Sequence, residues 1–414
     1  MMNTAKPGSP LPTVAHPPRL TALTNVRPWG GALSRIELSG SRITSITPLT
    51  DEAHPTAGNE QSVLDGRGML ALPGLINAHA HVDKSWWGLP WQSYAGEAGT
   101  QGRIAHERAR REELGIPGVD ITRRVLAEMA RHGTTALRTH VDVDLGLGLR
   151  GIDVVREAVA SFEGAIEAQI VAFPQDGVLR RDGVGELLRR AASEGRCEYI
   201  GGLDPAGIDR DPVGQIDLLT DIAAETGVGI DIHLHDPAEL GAFQIELLCD
   251  RVETLGLKGR VTIAHGFSVA QLPAGRRRDL LARMGECGMS MTTVAPLRLP
   301  QLPLGELRTA GVPLALGTDG IRDLWSPYGD GDTLGIAWQF ARASSIVTDE
   351  DLLDVVRLAT SDAAWAVGRT SHDLVPGAVA DIVLVDAENP MDALARVLPR
   401  EAVIGGGRLL YRAE

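Results

Sequence analysis

The stretch Leu72-Pro-Gly-Leu-Ile-Asn-Ala-His79-Ala-His81-Val-Asp83-Lys84 is an apolar run that ends in two histidines one residue apart. Side chains at positions i and i+2 of a β-strand point to the same face, so both imidazoles can reach one metal ion. A surface strand that carries two histidines by chance is the alternative. The apolar residues before the pair favour a buried strand, and the stretch therefore predicts a metal site at that strand's end.

Seven further short apolar runs follow the first one. Segments with helical periodicity lie between them, such as residues 152–162, 184–192, 212–226, 238–255 and 276–286. The candidate strands cover residues 70–78, 134–142, 168–173, 199–203, 229–234, 260–264, 288–294 and 313–317. Eight strand–helix repeats indicate an α/β protein with a parallel (β/α)8 TIM barrel, whose active site lies at the carboxyl ends of the strands. A doubly wound sheet is the alternative, but no glycine-rich phosphate loop follows the first strand.

The two flanks of the chain differ from this repeating middle part. Residues 19–68 and 369–414 contain short β-type runs separated by turn residues, which predicts one small β-sandwich domain built from both chain termini. The barrel then covers residues 69–368. Residues 1–18 are polar and proline-rich and lack the apolar segment of a signal peptide, so we interpret them as a disordered tail.

Composition limits the partners of this chain. A net charge of -14 and a pI near 5.3 argue against nucleic acid, since binding it normally needs a basic face. No apolar run approaches the roughly 18 residues of a membrane span. Three cysteines without C-x-x-C spacing suit the reduced thiols of a cytoplasmic protein: Cys197, Cys249 and Cys287. We expect a homo-oligomer that acts on a small molecule.

Further side chains that could bind a metal lie at the ends of later strands. His233 ends strand five and Asp319 ends strand eight. A single histidine at a strand end is more often a hydrogen-bonded residue than a ligand, but these two join His79 and His81 in the right phase of a barrel. Three imidazoles and one carboxylate form a ligand set for one divalent ion, Zn²⁺ or Fe²⁺, and leave room for a water molecule.

These motifs resemble those of the amidohydrolase superfamily over nearly the whole chain after the tail. The segments that carry the resemblance are the histidine stretch quoted above, the later histidines and aspartate, and Pro376-Gly-Ala-Val-Ala-Asp381-Ile-Val. A closer similarity to the cytosine deaminase branch rests on four segments: Arg138-Thr-His140-Val-Asp142, Val171-Ala-Phe-Pro-Gln175-Asp-Gly177, Arg260-Val-Thr-Ile-Ala-His265 and Asp319-Gly-Ile-Arg-Asp-Leu-Trp325. The segment His81-Val-Asp-Lys84-Ser also resembles N-isopropylammelide hydrolases and other aminotriazine hydrolases.

The resemblance implies a metal-dependent deaminase or amidohydrolase. A metal-activated hydroxide would attack a ring carbon of a cytosine-like, amino-substituted heterocycle and release ammonia or an amine. Asp319 would bind the metal and accept the water proton, and His265 would polarise the attacked centre. An N-alkylaminotriazine of the ammelide type, or a cyclic amide, is the alternative substrate.

A proton shuttle to the leaving amine is also needed. Cytosine deaminases carry a glutamate three residues after the strand-five histidine, and this position is Asp236 here. Glu239 is the second candidate, if the loop turns back. Alternatively, Asp236 is simply the N-cap of the following helix.

Five residues are candidates for contact with the substrate. Gln175 matches a glutamine that holds the pyrimidine amide in the resembling enzymes, and Trp325 matches an aromatic residue in their pocket. His140 either supports the metal ligands or is an ordinary buried histidine. Lys84 stands beside the metal motif as one of only three lysines, and it is either a donor to substrate or to Asp319, or a surface residue of a long loop. Asp204 follows strand four and would line the pocket.

One departure from the resembling enzymes bears on the substrate. Cytosine deaminases carry an aspartate that contacts the ring directly after the metal-binding aspartate, and this chain has Gly320 there. A partner for the N–H groups of the substrate is thereby lost.

Two other classes of function remain open. Binuclear amidohydrolases of the hydantoinase or dihydroorotase kind use a carboxylated lysine on strand four, but residues 199–204 contain no lysine, which favours a mononuclear site. A non-catalytic barrel that serves as a scaffold would be expected to lose metal ligands, and all four are present here.

Overall fold

The computed structural model describes residues 17–49 and 62–414. The predicted disordered tail therefore lies outside the described residues, apart from its last two positions. Those two prolines lie against the end of the chain, where the Pro18 carbonyl accepts a hydrogen bond from the Leu409 amide and the Pro17 carbonyl accepts one from Arg408.

The described residues contain sixteen strands and twelve α-helices. The strands are β1 Ala22–Pro28, β2 Ser34–Ser39, β3 Arg42–Pro48, β4 Val63–Pro73, β5 Leu75–His81, β6 Thr134–Asp142, β7 Glu167–Phe173, β8 Tyr199–Leu203, β9 Gly229–Leu234, β10 Val261–His265, β11 Ser290–Thr293, β12 Leu314–Leu316, β13 Asp319–Gly320, β14 Ile382–Val385, β15 Arg400–Gly405 and β16 Arg408–Arg412. The helices are α1 Gly99–Arg110, α2 Val119–Arg131, α3 Arg150–Ala160, α4 Val184–Ser193, α5 Pro212–Thr226, α6 Ala238–Leu255, α7 Ser268–Gln271, α8 Ala274–Glu286, α9 Leu304–Ala310, α10 Thr333–Ala343, α11 Asp349–Leu358 and α12 Pro390–Arg396.

Strands from both flanks of the chain join in one seven-stranded sheet. Its order is β16-β15-β14-β4-β1-β2-β3, in which β1 and β4 are parallel and the other pairs are antiparallel. The prediction that both termini build one β-unit agrees with this order. The predicted two-layered sandwich is not confirmed, since the strands described in these flanks belong to a single sheet.

Asp381 shows why the terminal motif matters for folding. Its Oδ1 atom accepts a hydrogen bond from the Gly406 amide at 2.7 Å, and its Oδ2 atom pairs with Arg369 at 2.7 Å. The Asp381 backbone carbonyl accepts a hydrogen bond from the Gly74 amide, just before β5 begins. Through its carboxylate and its backbone carbonyl, Asp381 thus joins the terminal sheet to the segment that leads into the central sheet.

The central sheet is parallel and curled, as the α/β class predicts. Its order is β12-β11-β10-β9-β8-β7-β6-β5-β13. The strands at the two ends of this order, β12 and β13, are separated by only two residues in the chain, and we interpret them as two pieces of the predicted eighth strand. Asp319 pairs with Ala80 and Gly320 pairs with His81, which brings the end of the last strand beside the end of the first.

The first predicted strand, residues 70–78, is wrong in its bounds. Leu70 to Pro73 belong to β4, which pairs with β14 of the terminal sheet, and β5 begins at Leu75. Two buried strands of different sheets follow each other with only Gly74 between them. Because both are apolar, the sequence shows one run where the structure has two strands.

The helices between the strands follow the predicted periodicity closely. Residues 212–226 and 238–255 form α5 and α6 with the expected bounds. All three cysteines are free and buried. Among the described helices, none is both long and apolar enough to cross a membrane.

The break between β12 and β13 depends on a close approach of two backbones. A Cβ atom on Gly317 would lie 2.4–2.6 Å from the backbone N, the carbonyl O and the Cβ of His79. Only glycine lets the last strand pass this close to the first histidine of the metal motif.

We expect Gly317→Ala to lower the free energy of unfolding by about 1–3 kcal/mol, because the added methyl group must push the two strands apart. Urea unfolding followed by circular dichroism measures this. Gly305→Ala in α9 is the matched control, since its Cβ would meet no heavy atom within 4 Å and alanine favours a helix. Equal stability of both variants would contradict the close approach.

Candidate metal centre and substrate pocket

Four histidines and one aspartate meet at the carboxyl ends of the central strands. His79 Nε2 lies 3.7 Å and His81 Nε2 lies 3.3 Å from Asp319 Oδ1. His81 Nε2 also lies 3.3 Å from His233 Nε2. The ligand atoms of His79, His233, His265 and Asp319 all lie within 4.8 Å of one another. The structure thus brings together all four predicted metal ligands and the predicted catalytic His265.

The electrostatics of this cluster suit a cation. Burial lowers the pKa of His81 to about 3, and it lowers those of His233 and His265 well below their usual value. These imidazoles are therefore neutral at pH 7 and keep a lone pair for a metal. Burial alone would raise the pKa of Asp319, but the interaction with the neighbouring His79 and His81 imidazoles outweighs it and holds the pKa well below the usual value.

Unsatisfied nitrogen atoms are a second indication that these residues fit a cation. Among the described residues, no hydrogen-bond partner reaches Nε2 of His79, Nδ1 of His233 or Nε2 of His265, although all three atoms are buried. Buried polar atoms without partners are costly and rare in native proteins. A divalent ion fits this set, because neutral imidazole and carboxylate are ligands of zinc and of ferrous iron.

Backbone strain marks two of the same residues. His265 and Asp319 have φ angles of 69° and 61°, in the left-handed region that side chains rarely adopt. Such strain persists where the surrounding structure imposes it and is typical of functional sites.

A buried ion pair lies beneath the histidines. Arg138 Nη1 donates to Asp231 Oδ2 at 2.9 Å, and both side chains are fully buried. The guanidinium lies 3.8 Å from the Tyr199 ring centroid. The other oxygen of Asp231 is 3.2 Å from His140 Nε2, and the His140 ring lies 4.4 Å from that of His79. His140 is therefore placed between the ion pair and the metal candidates.

A second polar group contains three predicted substrate contacts. Lys84 Nζ donates to Asp142 Oδ1 at 2.6 Å and to Gln175 Oε1 at a shorter distance. Gln175 Nε2 donates to Glu107 Oε2 at 2.7 Å, and Trp325 Nε1 donates to the same oxygen. Lys84 is only 3% exposed, so it is not a surface lysine, and its partner is Asp142 rather than Asp319.

Charge–charge interactions set the protonation of this group. Burial would lower the pKa of Lys84, but Asp142, Glu107 and Asp83 outweigh burial and raise it. Burial raises the pKa of Asp142 well above its usual value. The pKa of Glu107 is lowered, because Lys84 and several hydrogen bonds outweigh burial. At neutral pH the lysine is a cation facing the glutamate as an anion.

Sequence and structure comparisons identify the family of this chain. Residues 197–411 match the model of the amidohydrolase family. The chain is 30% identical over 394 residues to N-isopropylammelide isopropyl amidohydrolase from Pseudomonas sp. (strain ADP), covering 92% of this chain and 94% of that protein. This chain belongs to the amidohydrolase family. The resemblance seen in the sequence is thereby confirmed, and the protein is a hydrolase that acts on carbon–nitrogen bonds.

Solved structures show the same fold. The crystal structure of N-isopropylammelide isopropylaminohydrolase from Burkholderia multivorans superposes with a TM-score of 0.87 and 38% identity, covering 95% of this chain and 99% of that one. That of 5-methylcytosine deaminase from Klebsiella pneumoniae, in complex with phosphonocytosine, gives a TM-score of 0.78 at 24% identity over 95% of this chain and 98% of that one. The second match shows the amidohydrolase fold alone.

The structure separates the two predicted proton shuttles of this amidohydrolase. Asp236 Oδ2 accepts hydrogen bonds from the Gly207 amide at 3.2 Å and from Gln244 Nε2 at 3.0 Å. It is not the N-cap of α6, because that position is Pro237. Glu239 lies outside the histidine cluster, since its exposed carboxylate pairs with Arg276 at 3.2 Å.

Asp204 leads to a histidine that the sequence analysis left without a role. Asp204 Oδ1 accepts a hydrogen bond from the His235 amide at 2.5 Å, and its Oδ2 lies 3.1 Å from His235 Nδ1. The His235 ring lies 4.2 Å from the His265 ring, and both Asp204 and His235 line a cavity of about 350 Å³ with Asp236. The i, i+2 spacing from His233 was the available signal, as it was for the first histidine pair.

Glu107 and Asp142 were also missed as site residues. Asp142 stands at the end of β6, where a barrel places functional groups. Glu107 lies in α1, inside a long segment between the first two central strands, and nothing in its local sequence distinguishes it from a surface glutamate.

We expect Arg138→Met to destabilise the protein by about 3–5 kcal/mol, because the Asp231 carboxylate would lose its buried countercharge. Denaturant unfolding of the metal-free protein measures this. Arg138→Lys, which keeps the charge but not the planar fork over Tyr199, should cost less. A loss below 1 kcal/mol in Arg138→Met would show that the pair is not needed for stability.

Proposed function

We propose that this protein hydrolyses the bond between a ring carbon and an exocyclic nitrogen of an amino-substituted heterocycle, on an eight-stranded barrel and with one bound metal ion. The observation that carries the proposal is the cluster of four histidines and Asp319 directly beside the polar group of Lys84, Gln175 and Trp325. The cluster supplies metal ligands, and the polar group supplies donors and acceptors for a heterocycle.

The metal would be held by four side chains: His79, His81, His233 and Asp319. A divalent ion, Zn²⁺ or Fe²⁺, lowers the pKa of water from about 15.7 to near 7 and polarises the attacked centre. Asp319 has its Oδ1 atom facing two histidines and its Oδ2 atom free of hydrogen bonds within the described chain, so Oδ2 is available to take the proton of the attacking water. His265 has an unpartnered Nε2 atom and stabilises charge that develops on the attacked ring.

The substrate-facing groups are held in fixed orientations. Gln175 directs its oxygen to Lys84 and its nitrogen to Glu107, which determines which end of the amide meets the substrate. One N–H and one lone pair of this amide remain for a ring amide. Trp325 is fixed through its indole N–H on Glu107 and offers an aromatic surface to a planar ring.

We assign proton transfer to the leaving amine to His235, supported by Asp204. Burial would lower the pKa of His235, but the hydrogen bond and charge of Asp204 outweigh it and raise the pKa. The ring is 44% exposed at the side-chain level, so it can exchange protons with water. Asp236 lines the same cavity and is the second candidate, although two hydrogen bonds already hold its Oδ2 atom.

N-alkylated ammelides are the first substrates to test. The support is the likeness over nearly the full chain to a hydrolase named for N-isopropylammelide, together with Lys84, Gln175 and Trp325 placed as one group. Cytosine-type deamination, which releases ammonia from a similar ring, is the alternative within the same chemistry.

A binuclear hydrolase is the second candidate function, and one observation favours it. The ligand atoms of His79, His81 and His140 also lie within 4.8 Å of one another. Against this, β8 carries no lysine that could bridge two ions, and His140 faces Asp231. We therefore propose that His140 positions the neighbouring ligands and that the site is mononuclear.

We expect the purified protein to bind one zinc or iron ion per chain and to hydrolyse at least one compound in a panel of triazines, pyrimidines, pterins and cyclic ureas. Metal analysis by plasma mass spectrometry and amine release measure these two quantities. Asp319→Ala should lower kcat by about 10³-fold or more, because the substitution removes both a ligand and the proton acceptor. Two ions per chain would support the binuclear enzyme, and no bound metal in a folded protein would support a scaffold.

We expect His235→Gln to lower kcat by about 10²-fold or more, with a smaller effect in Asp236→Asn. Glu239→Gln should change little, because its carboxylate pairs with Arg276 at the surface. Steady-state kinetics on the best substrate of the panel measure all three variants. A large loss in Asp236→Asn with an active His235→Gln would reverse the assignment.

A further inference from the structure

The Asp323 carboxylate occupies the side-chain space of residue 320. A Cβ atom on Gly320 would lie 1.9 Å from Asp323 Oδ2 and 2.9 Å from Asp323 Cγ. Gly320 pairs with His81 at the end of the first central strand. An acidic group is therefore present beside the metal candidates, although it comes from three residues further along the chain.

The rest of Asp323 is held firmly in place. Its Oδ1 atom accepts hydrogen bonds from the amides of Trp325 and Ser326, both at 2.8 Å. Its backbone carbonyl accepts a hydrogen bond from Trp86 Nε1 at 2.9 Å, and its backbone bridges to Ser85. These contacts explain why the tryptophan-rich loop after the first strand is packed against the loop after the last one.

The second carboxylate oxygen has no such partner. Asp323 is 6% exposed, and within the described chain no donor reaches its Oδ2 atom. The residue lines a cavity of about 270 Å³ together with Trp325. Its Oδ2 atom is therefore free to accept a hydrogen bond from a bound ligand that carries an N–H group.

Asp323 lies close to the polar group that contains Lys84, Glu107 and Gln175. The charges of Lys84 and Glu107 both act on it, and these two residues contact Gln175. Burial raises the pKa of Asp323 to about 7, more than Lys84 lowers it. The carboxyl group can therefore gain or lose a proton near neutral pH when a ligand binds.

We propose that Asp323 Oδ2 accepts a hydrogen bond from a ring N–H of the heterocyclic substrate, and that Gly320 is required because it leaves room for this carboxylate. The proposal rests on the proposed function and names the group that recognises the ring. The residue that recognises the substrate ring is then Asp323 and not the residue directly after the metal candidate Asp319.

Asp323→Asn is the direct test. Asparagine keeps an oxygen for the amides of Trp325 and Ser326 but presents an N–H₂ donor where the substrate N–H must bind. Loss of a charge-assisted hydrogen bond predicts a fall of about 10- to 100-fold in kcat/KM, carried mainly by KM. Glu350→Gln removes an exposed charge from α11 and is the matched control. Thermal unfolding of both variants checks that the loop still folds.

A binding measurement separates recognition from catalysis. The probe is cyanuric acid, the ring that remains when the amine leaves an N-alkylammelide, and the comparison ligand is its tri-N-methyl derivative, which has no N–H. Calorimetry on metal-loaded wild-type protein should show tighter binding of the N–H ring by about tenfold or more. Asp323→Asn should lose this preference while Glu350→Gln keeps it.

Gly320→Ala provides an independent route to the same result. The methyl group would collide with Oδ2 and displace the carboxylate without changing its charge. We expect the preference for the N–H ring to fall in this variant as well.

The outcomes distinguish this proposal from the proposed function. A wild-type enzyme that hydrolyses heterocycles, with Asp323→Asn unchanged in KM and in N–H preference, would overturn the role of Asp323 alone. A wild-type protein without hydrolytic activity would contradict the proposed function. In that case, N–H preference that disappears in Asp323→Asn would still support the role of Asp323, and its absence from the wild-type protein would overturn both.

Discussion

The pairing of Asp319 and Gly320 with Ala80 and His81 is the constraint on which the rest of the site depends. It joins the last strand of the curled sheet to the first and places a carboxylate 3.3 Å from an imidazole of the opening motif. The last strand of the central sheet is therefore divided into β12 and β13, which pair with different neighbours. Gly317, between these two pieces, permits the close approach to His79. The fold and the metal candidates are thus products of one backbone arrangement.

Burial then determines the chemistry of the groups that this arrangement collects. Imidazoles withdrawn from water lose their affinity for protons and become neutral ligands, whereas Asp319 remains ionised because histidines surround it. The Arg138–Asp231 pair below them carries opposite charges in a fully buried region. The same desolvation that makes this pair costly to break keeps the histidines ready for a cation.

The polar group around Lys84 has a different physical basis. Lys84, Asp142, Glu107 and Gln175 come from a loop, a strand, a helix and a second loop, and their mutual hydrogen bonds fix each one before any ligand arrives. Such preorganisation reduces the entropy lost on binding. At position 320, glycine leaves room for the Asp323 carboxylate, whose Oδ2 atom would lie 1.9 Å from an added Cβ atom.

The sequence by itself determined the α/β class, the helix bounds of α5 and α6, and the set of His79, His81, His233, His265 and Asp319. These follow from local periodicity and from the rule that parallel strands present functional groups at their carboxyl ends. Only the tertiary structure decided that β4 and β5 belong to different sheets and that Lys84 is buried against Asp142. It alone also decided that Glu107 contacts Gln175 and that Asp323 lines a cavity. The reason is that those contacts join segments far apart in the chain. The hydrophobic pattern along one strand or helix does not indicate which distant charged residue will neutralise a buried one.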